Sequence, residues 1–186
     1  MQGATGFDEA IHDWVAARRS PWLTDGWRAA TELGGGAIII TVTVVTVALL
    51  VVARRPWSGA FVALAGSGGL VLQAILKPLL ERPRPPVAGW LTDAGGWSMP
   101  SGHALQSASL YLALAVVVVA IVPPWRVVVW VSAVVVVVLV GSSRVYLGVH
   151  WATDVIVGWL IGAVWVGALA TAMRSRFAAE RARVAG

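Results

Sequence analysis

Apolar runs separated by short polar breaks set the plan of this chain. Residues 37–53, 59–76, 104–122, 125–140 and 155–173 are almost wholly apolar or small. Each approaches the ~20 residues that a helix needs to cross a bilayer core. The first run is rich in Val, Ile and Thr, which also suits a strand. Its length without a turn signal predicts a helix instead. Gly34-Gly35-Gly36 precedes it and Arg54-Arg55-Pro56 ends it. Lys77-Pro78 closes the second run, and Pro123-Pro124 divides the third from the fourth. Gly66, Ser67, Gly68 and Gly69 give the second run a small-residue face, as close helix packing requires. Residues 81–100 form a polar loop rich in Pro and Gly, with Trp90 and Trp97.

The pattern differs at both ends. Phe7, Ile11, Trp14 and Val15 recur at helical spacing among Asp8, Glu9 and Asp13. This predicts a short amphipathic helix that ends at Ser20-Pro21. A second short helix is expected over residues 24–33, with Trp27 on its apolar side. Such helices lie in the membrane interface. The acids and the lack of a long apolar core exclude a signal peptide. His12 stands alone and reads as solvated. The expected fold is therefore all-α: an integral membrane bundle of about five spans with interfacial helices before it. Three parts follow: residues 1–33, a transmembrane domain over 34–173, and a basic cytoplasmic tail over 174–186.

Composition agrees. Of 186 residues, 58% are hydrophobic and 12% charged, where a soluble domain is about a quarter charged. With no cysteine, disulfides and thiolate metal sites are excluded. The net charge of +5 forms no continuous basic stripe, so no nucleic-acid partner is expected. A compact, loop-poor chain of this kind suits a bacterial plasma membrane.

Charge then sets orientation. Arg174, Arg176, Arg181 and Arg183 place the tail in the cytoplasm, and alternation puts Arg54, Arg55 and Arg126 there too. The amino terminus, the 81–100 loop and residues 143–154 fall on the external face. Lys77, Arg82, Arg84 and Arg144 are then external positives, which oppose the rule unless an anion site requires them. Lys77 ends one span and Ser101-Gly102-His103 opens the next. Arg144 ends the fourth, and His150 and Asp154 precede the fifth. Four helix ends thus bring the unusual polar residues to one face. Ionisable groups at membrane depth are costly and point to function.

Local chemistry adds detail. If residues 150–154 are helical, His150 and Asp154 share a face, and the carboxylate fixes the imidazole tautomer. Arg144 offers a planar cation suited to phosphate oxygens. Ser101 is a good N-cap, Gly102 permits close backbone approach to a ligand, and a helix start binds anions. Trp90, Trp97 and Trp151 suit an interfacial belt.

These residues carry a family resemblance. Lys77, six residues, then Arg84-Pro85 resembles the first signature of the type 2 phosphatidic acid phosphatase superfamily. Pro100-Ser101-Gly102-His103 resembles the second, and Ser143-Arg144, five residues, His150, three residues and Asp154 the third. The resemblance covers about residues 57–173. It implies a membrane phosphatase acting on a lipid phosphomonoester or pyrophosphate. His150 would be the nucleophile, Asp154 its orienting partner, and His103 the general acid and then base. Lys77, Arg84, Arg144, Ser101 and the Gly102 amide would hold the phosphate. Arg82 is a second candidate cation, but spacing from Lys77 favours Arg84. With no carboxylate cluster for a metal, activity without metal or other cofactor is expected. The expected partners are a lipid phosphate substrate and membrane lipids. Polyprenyl pyrophosphate, phosphatidylglycerol phosphate and phosphatidate all qualify, and an outward site favours the polyprenyl carrier.

One departure stands out. Members of the family commonly have six spans, with the first signature after the third; here it follows the second. Two other readings compete. A Ser101–His150–Asp154 protease triad leaves the three cations without work. A lipid-phosphate binder or flippase would tolerate His150→Asn better than Arg144→Ala.

Overall fold

The computed structural model describes residues 3–185, and these residues form eight α-helices. They are α1 (Gly6–Ala16), α2 (Pro21–Glu32), α3 (Gly36–Val52), α4 (Pro56–Leu80), α5 (Gly102–Ile121), α6 (Arg126–Tyr146), α7 (Ala152–Ala172) and α8 (Arg174–Ala185). Four helices are long and apolar enough to cross a membrane: α4, α5, α6 with its preceding 3₁₀ turn, and α7. Helices α2 and α3 qualify only together, as one span bent by 43°. The count of about five spans therefore holds if this bent pair is one of them. The bend falls at Gly34-Gly35, where Gly34 lies against the His103 carbonyl and the Val140 side chain with no room for a Cβ.

Helix α5 is the centre, packed between α4, α6 and α7. It buries Leu105, Ala108, Leu110 and Ala113 completely. Lipid tails are as apolar as the side chains, so close van der Waals packing drives helix association. Gly158 and Gly162 of α7 provide it, lying against Ser101, Ala104 and Ala108. The predicted small face of α4 behaves likewise: Gly66 meets Thr43, Gly68 meets Trp165, and Gly69 meets Ser109. Helix α6 turns Val127, Val131, Val134 and Val138 outward, as a lipid-facing surface should.

The basic tail is a helix folded back on the bundle. Phe177 packs edge-on to Phe61, with ring centroids 5.2 Å apart. Glu180 is 3% exposed. It accepts the Trp57 N–H at 2.7 Å, the Ser58 N–H at 3.3 Å, and the Ser58 hydroxyl. These donors belong to the first turn of α4, whose N–H groups have no partner within the helix.

Two helix limits differ from expectation. Helix α6 runs on to Tyr146, past the apolar run that ends at Val140, and Arg144 lies in its last turn as expected of a residue that ends the span. Helix α7 begins at Ala152, so His150 precedes the helix and does not share a helical face with Asp154. A turn, not helical periodicity, brings the two together.

Candidate active site

The site is built on two turns. The first is Arg82-Pro83-Arg84-Pro85, where the prolines cannot extend α4. Trp151 Nε1 donates to the Pro83 carbonyl at 3.1 Å, and Trp90 Nε1 donates to that of Pro85 at 3.0 Å. This corrects the idea of a tryptophan belt: Trp90 and Trp151 clamp the loop, and of the three only Trp97 is exposed, at 41%. The clamp leaves Arg82 buried and Arg84 half-buried.

The second turn joins α6 to α7. Gly148 has φ +78, a left-handed conformation that suits glycine, and it sits against the Gly89 carbonyl. Arg19 ties the turn down, donating to the carbonyls of Tyr146 at 3.0 Å and Gly89 at 2.8 Å. His150 emerges from this turn 2% exposed.

His150 has a different neighbour on each nitrogen. Arg84 Nη1 lies 3.1 Å from Nε2. A guanidinium only donates, so Nε2 is the acceptor and Nδ1 carries the proton. Nδ1 lies 3.4 Å from Asp154 Oδ2 and 3.4 Å from Ser98 Oγ. These are long hydrogen bonds, of the kind that tighten when a substrate is bound. The tautomer leaves the Nε2 lone pair facing Arg84. Burial pushes the imidazole pKa down, with Arg84 and Arg144 adding to it, against the opposing effect of Asp154.

Asp154 is fully buried and heavily held. It accepts the Trp151 N–H at 2.9 Å, Arg82 Nη1 at 2.7 Å, and the Ser98 hydroxyl. Its own carbonyl accepts the Ser101 N–H at 3.0 Å. That bond ties the start of α5 to the start of α7.

The cations surround this pair. Arg84 is braced by the carbonyls of Val149 at 2.7 Å, Gly95 at 2.8 Å and Gly96 at 3.0 Å. Burial lowers the pKa of Arg84, an effect partly offset by Asp154. Lys77 Nζ donates to the Trp97 carbonyl at 3.0 Å. Arg144 is 5% exposed and donates to Thr31 Oγ1 at 3.0 Å, while its Nε has no partner. Among the described residues, Lys77, Arg84 and Arg144 form no salt bridge. The buried acids Asp8 and Asp154 both pair with Arg82, and the exposed Glu32 acts on Arg144 only through space. The cluster therefore has three cations without a carboxylate in direct contact, an arrangement suited to an anion.

The second motif fits with two adjustments. Ser101 stands at the N-cap of α5 but makes no capping hydrogen bond. Its hydroxyl is buried and unpartnered, so it is not spent on the helix. The Cα of Gly102 lies against the Gln73 side chain on α4, where a Cβ would collide. Its small size thus serves helix packing as it stands. His103 follows in the first turn, within electrostatic reach of Arg144, His150, Lys77 and Arg84. All eight expected residues therefore meet at one end of the bundle.

Other residues escaped the sequence reading. Asp8 is 1% exposed rather than solvated on an amphipathic helix. It accepts the Thr153 N–H at 2.9 Å and Arg82 Nη2 at 2.6 Å. Burial opposes its ionisation, yet the bonds from Thr153, Arg82 and Thr5 hold its pKa down at about 2. Thr5-x-x-Asp8 is a capping box, a signal of a helix start but not of burial. His12 is half-buried against Trp151, with ring centroids 5.6 Å apart. Arg82, weighed as a phosphate cation, faces two carboxylates instead. An apolar cavity of about 540 Å³ between α1, α2, α6 and α7 contains none of the eight residues.

Comparison with known proteins gives the context. The family model described as the PAP2 superfamily matches residues 56–178. Phosphatidylglycerophosphatase B of Bacillus subtilis is 35% identical over 158 residues, which cover 83% of this chain and 77% of that protein. An undecaprenyl-diphosphatase of Sulfolobus acidocaldarius is 33% identical over 136 residues, 70% of this chain and 62% of that one. The crystal structure of a PAP2-type phosphatidylglycerolphosphate phosphatase from Bacillus subtilis superposes with a TM-score of 0.85 at 32% identity. That superposition covers 90% of this chain and 85% of the other. Aquifex aeolicus LpxE shares the fold, with a TM-score of 0.74 at 22% identity over 90% of this chain and 96% of that one.

Proposed function

This chain belongs to the PAP2 superfamily and is a multi-pass membrane lipid phosphatase; we propose that it works through a phosphohistidine at His150 and needs no metal. The observation that carries this reading is the His150 Nε2 lying 3.1 Å from Arg84 Nη1, in a cluster whose cations Lys77, Arg84 and Arg144 form no salt bridge among the described residues. The same Arg84 donor that meets Nε2 is placed to hold a phosphate oxygen when substrate enters.

The reaction takes two steps. His150 Nε2 attacks phosphorus and the bond to the leaving oxygen breaks. His103 gives that oxygen its proton. In the second step His103 takes a proton from water, the hydroxide attacks phosphorus, and the N–P bond breaks. Asp154 holds the Nδ1 proton throughout. Lys77, Arg84 and Arg144, with the Ser101 hydroxyl and the Gly102 amide, stabilise the charge on the phosphoryl oxygens, as this chemistry requires above all. Fixed cations take the part often played by magnesium. The buried carboxylates Asp8 and Asp154 are both engaged by Arg82, which supports the metal-free reading.

The substrate is an amphiphile whose phosphate reaches the bundle end: phosphatidylglycerol phosphate, a polyprenyl pyrophosphate or phosphatidate. The named relatives act on the first two classes. The basic residues at the other end of the bundle favour an external site.

The test is phosphate release by detergent-purified protein in EDTA across those lipids, beside His150→Ala. Release that disappears in the variant and is blocked by vanadate is expected. Release that persists in His150→Ala, or that EDTA abolishes, would overturn the mechanism. The preferred lipid identifies the pathway.

A further inference from the structure

The Arg82 guanidinium bridges two buried carboxylates. Nη1 meets Asp154 at 2.7 Å and Thr153 Oγ1 at 2.6 Å, and Nη2 meets Asp8 at 2.6 Å. Arg82 is 2% exposed, Asp8 1% and Asp154 0%. Asp8 and Asp154 also share the amino end of α7, Asp8 on the Thr153 N–H and Asp154 on the Trp151 N–H. A helix start favours both anions, and Arg82 neutralises the pair. The outermost helix of the chain is thereby wired to the carboxylate beside His150.

We propose that Arg82 and Asp8 are positioning residues for phosphoryl transfer: through Arg82, α1 fixes the Asp154 carboxylate against the His150 imidazole. This rests on the reading of His150 as nucleophile. The Nδ1–Oδ2 separation of 3.4 Å is already at the outer limit of a hydrogen bond, so a carboxylate that rotated away would release the tautomer. Arg82 spends its guanidinium on Asp8, Asp154 and Thr153, so it should act on kcat rather than on phosphate binding.

The charged and titratable groups around His150 are Asp154 of α7, Arg84 of the loop, Arg144 of α6 and His103 of α5, with Lys77 of α4 in reach of His103. Arg82 and Asp8 modulate the first of these with opposite signs. Losing the Arg82 charge makes imidazolium easier to form, and losing the Asp8 charge makes it harder.

The experiment compares steady-state kinetics and pH profiles of wild type, Arg82→Gln, Arg82→Lys, Asp8→Asn and Asp8→Asn/Arg82→Gln in the full chain, with His150→Ala as reference. Arg82→Gln should lower kcat on the order of 100-fold with KM held within about three-fold. Its acidic limb in kcat/KM should move up by about one pH unit, and that of Asp8→Asn should move down. Arg82→Lys should recover part of kcat. Arg82→Gln leaves two carboxylates facing each other, so thermal unfolding is measured beside activity. The double variant removes one charge of each sign; it should fold, yet stay well below wild-type kcat. Wild-type kcat in a folded double variant, or a loss confined to KM, overturns the proposal. Limbs that move together, or not at all, also overturn it. Activity that survives in His150→Ala would instead overturn the site reading on which the proposal rests.

Discussion

The two ends of the bundle bury charge to different effect. At the end formed by α8 and the start of α4, Glu180 is surrounded by donors from one helix turn and forms no salt bridge among the described residues. At the other end Asp8, Arg82 and Asp154 close on one another, and Lys77, Arg84 and Arg144 form no salt bridge among the described residues. A carboxylate whose oxygens are all engaged holds a fold together. Cations held by carbonyls and threonine, with no counter-charge, hold a place for a ligand. Burial of an ionic group therefore does not mark a site by itself; the surplus of one sign does.

The contrast can be broken by experiment, starting with the largest effect. Arg144→Ala should lower kcat/KM for a lipid phosphate about 100- to 1,000-fold, whereas Arg126→Ala at the opposite end should change it less than about two-fold. Equal losses would erase the distinction between the ends.

Next comes acid sensitivity. The Asp8 carboxyl is depressed from 3.8 to about 2 in the fold. A depressed pKa contributes stability that is present above the unfolded value and lost as the pH falls through the folded one. The contribution is on the order of 2 kcal/mol. Wild type should hold this advantage over Asp8→Asn above about pH 4, and it should vanish as the pH approaches 2. Thermal unfolding in detergent across that window checks it. An advantage that did not change with pH would remove ionised Asp8 from the network.

At the opposite end, Glu180→Gln should lower stability by about 1–2 kcal/mol and leave kcat/KM as it was. Reduced turnover in a folded Glu180→Gln protein would mean that this end also serves catalysis. The smallest effect is expected for Arg183→Ala. Its exposed bond to the Arg54 carbonyl spans 3.1 Å and should contribute within about 0.5 kcal/mol.

What the sequence disclosed follows from distance along the chain. Lys77 and Arg84, Ser101 to His103, and Arg144 to Asp154 lie in three short motifs, so spacing alone brings them into view. The apolar runs show the spans because lipid exposure leaves no other composition for them. Asp8 escapes because it meets Thr153 across 145 positions, and a capping box looks the same on a free helix as on a docked one. Thr31, the partner of Arg144, lies 113 positions away. Ser98 is one hydroxyl in a polar loop, and only the fold turns it onto Asp154. The His150–Asp154 spacing suggested the right contact for the wrong reason: a helical repeat was expected, and a pre-helical turn supplies it.

The central helix carries one more consequence. With 20 residues, α5 is about 30 Å long, close to the hydrocarbon thickness of an ordinary bilayer. It starts at Ser101–His103 and ends at the Pro123–Trp125 turn. It thus acts as a ruler between the two membrane surfaces. A thicker bilayer would draw the His103 turn below the headgroups, and a thinner one would lift it into water. Hydrophobic matching, set by the chain length of the surrounding lipids, then sets the depth at which the His103 turn sits.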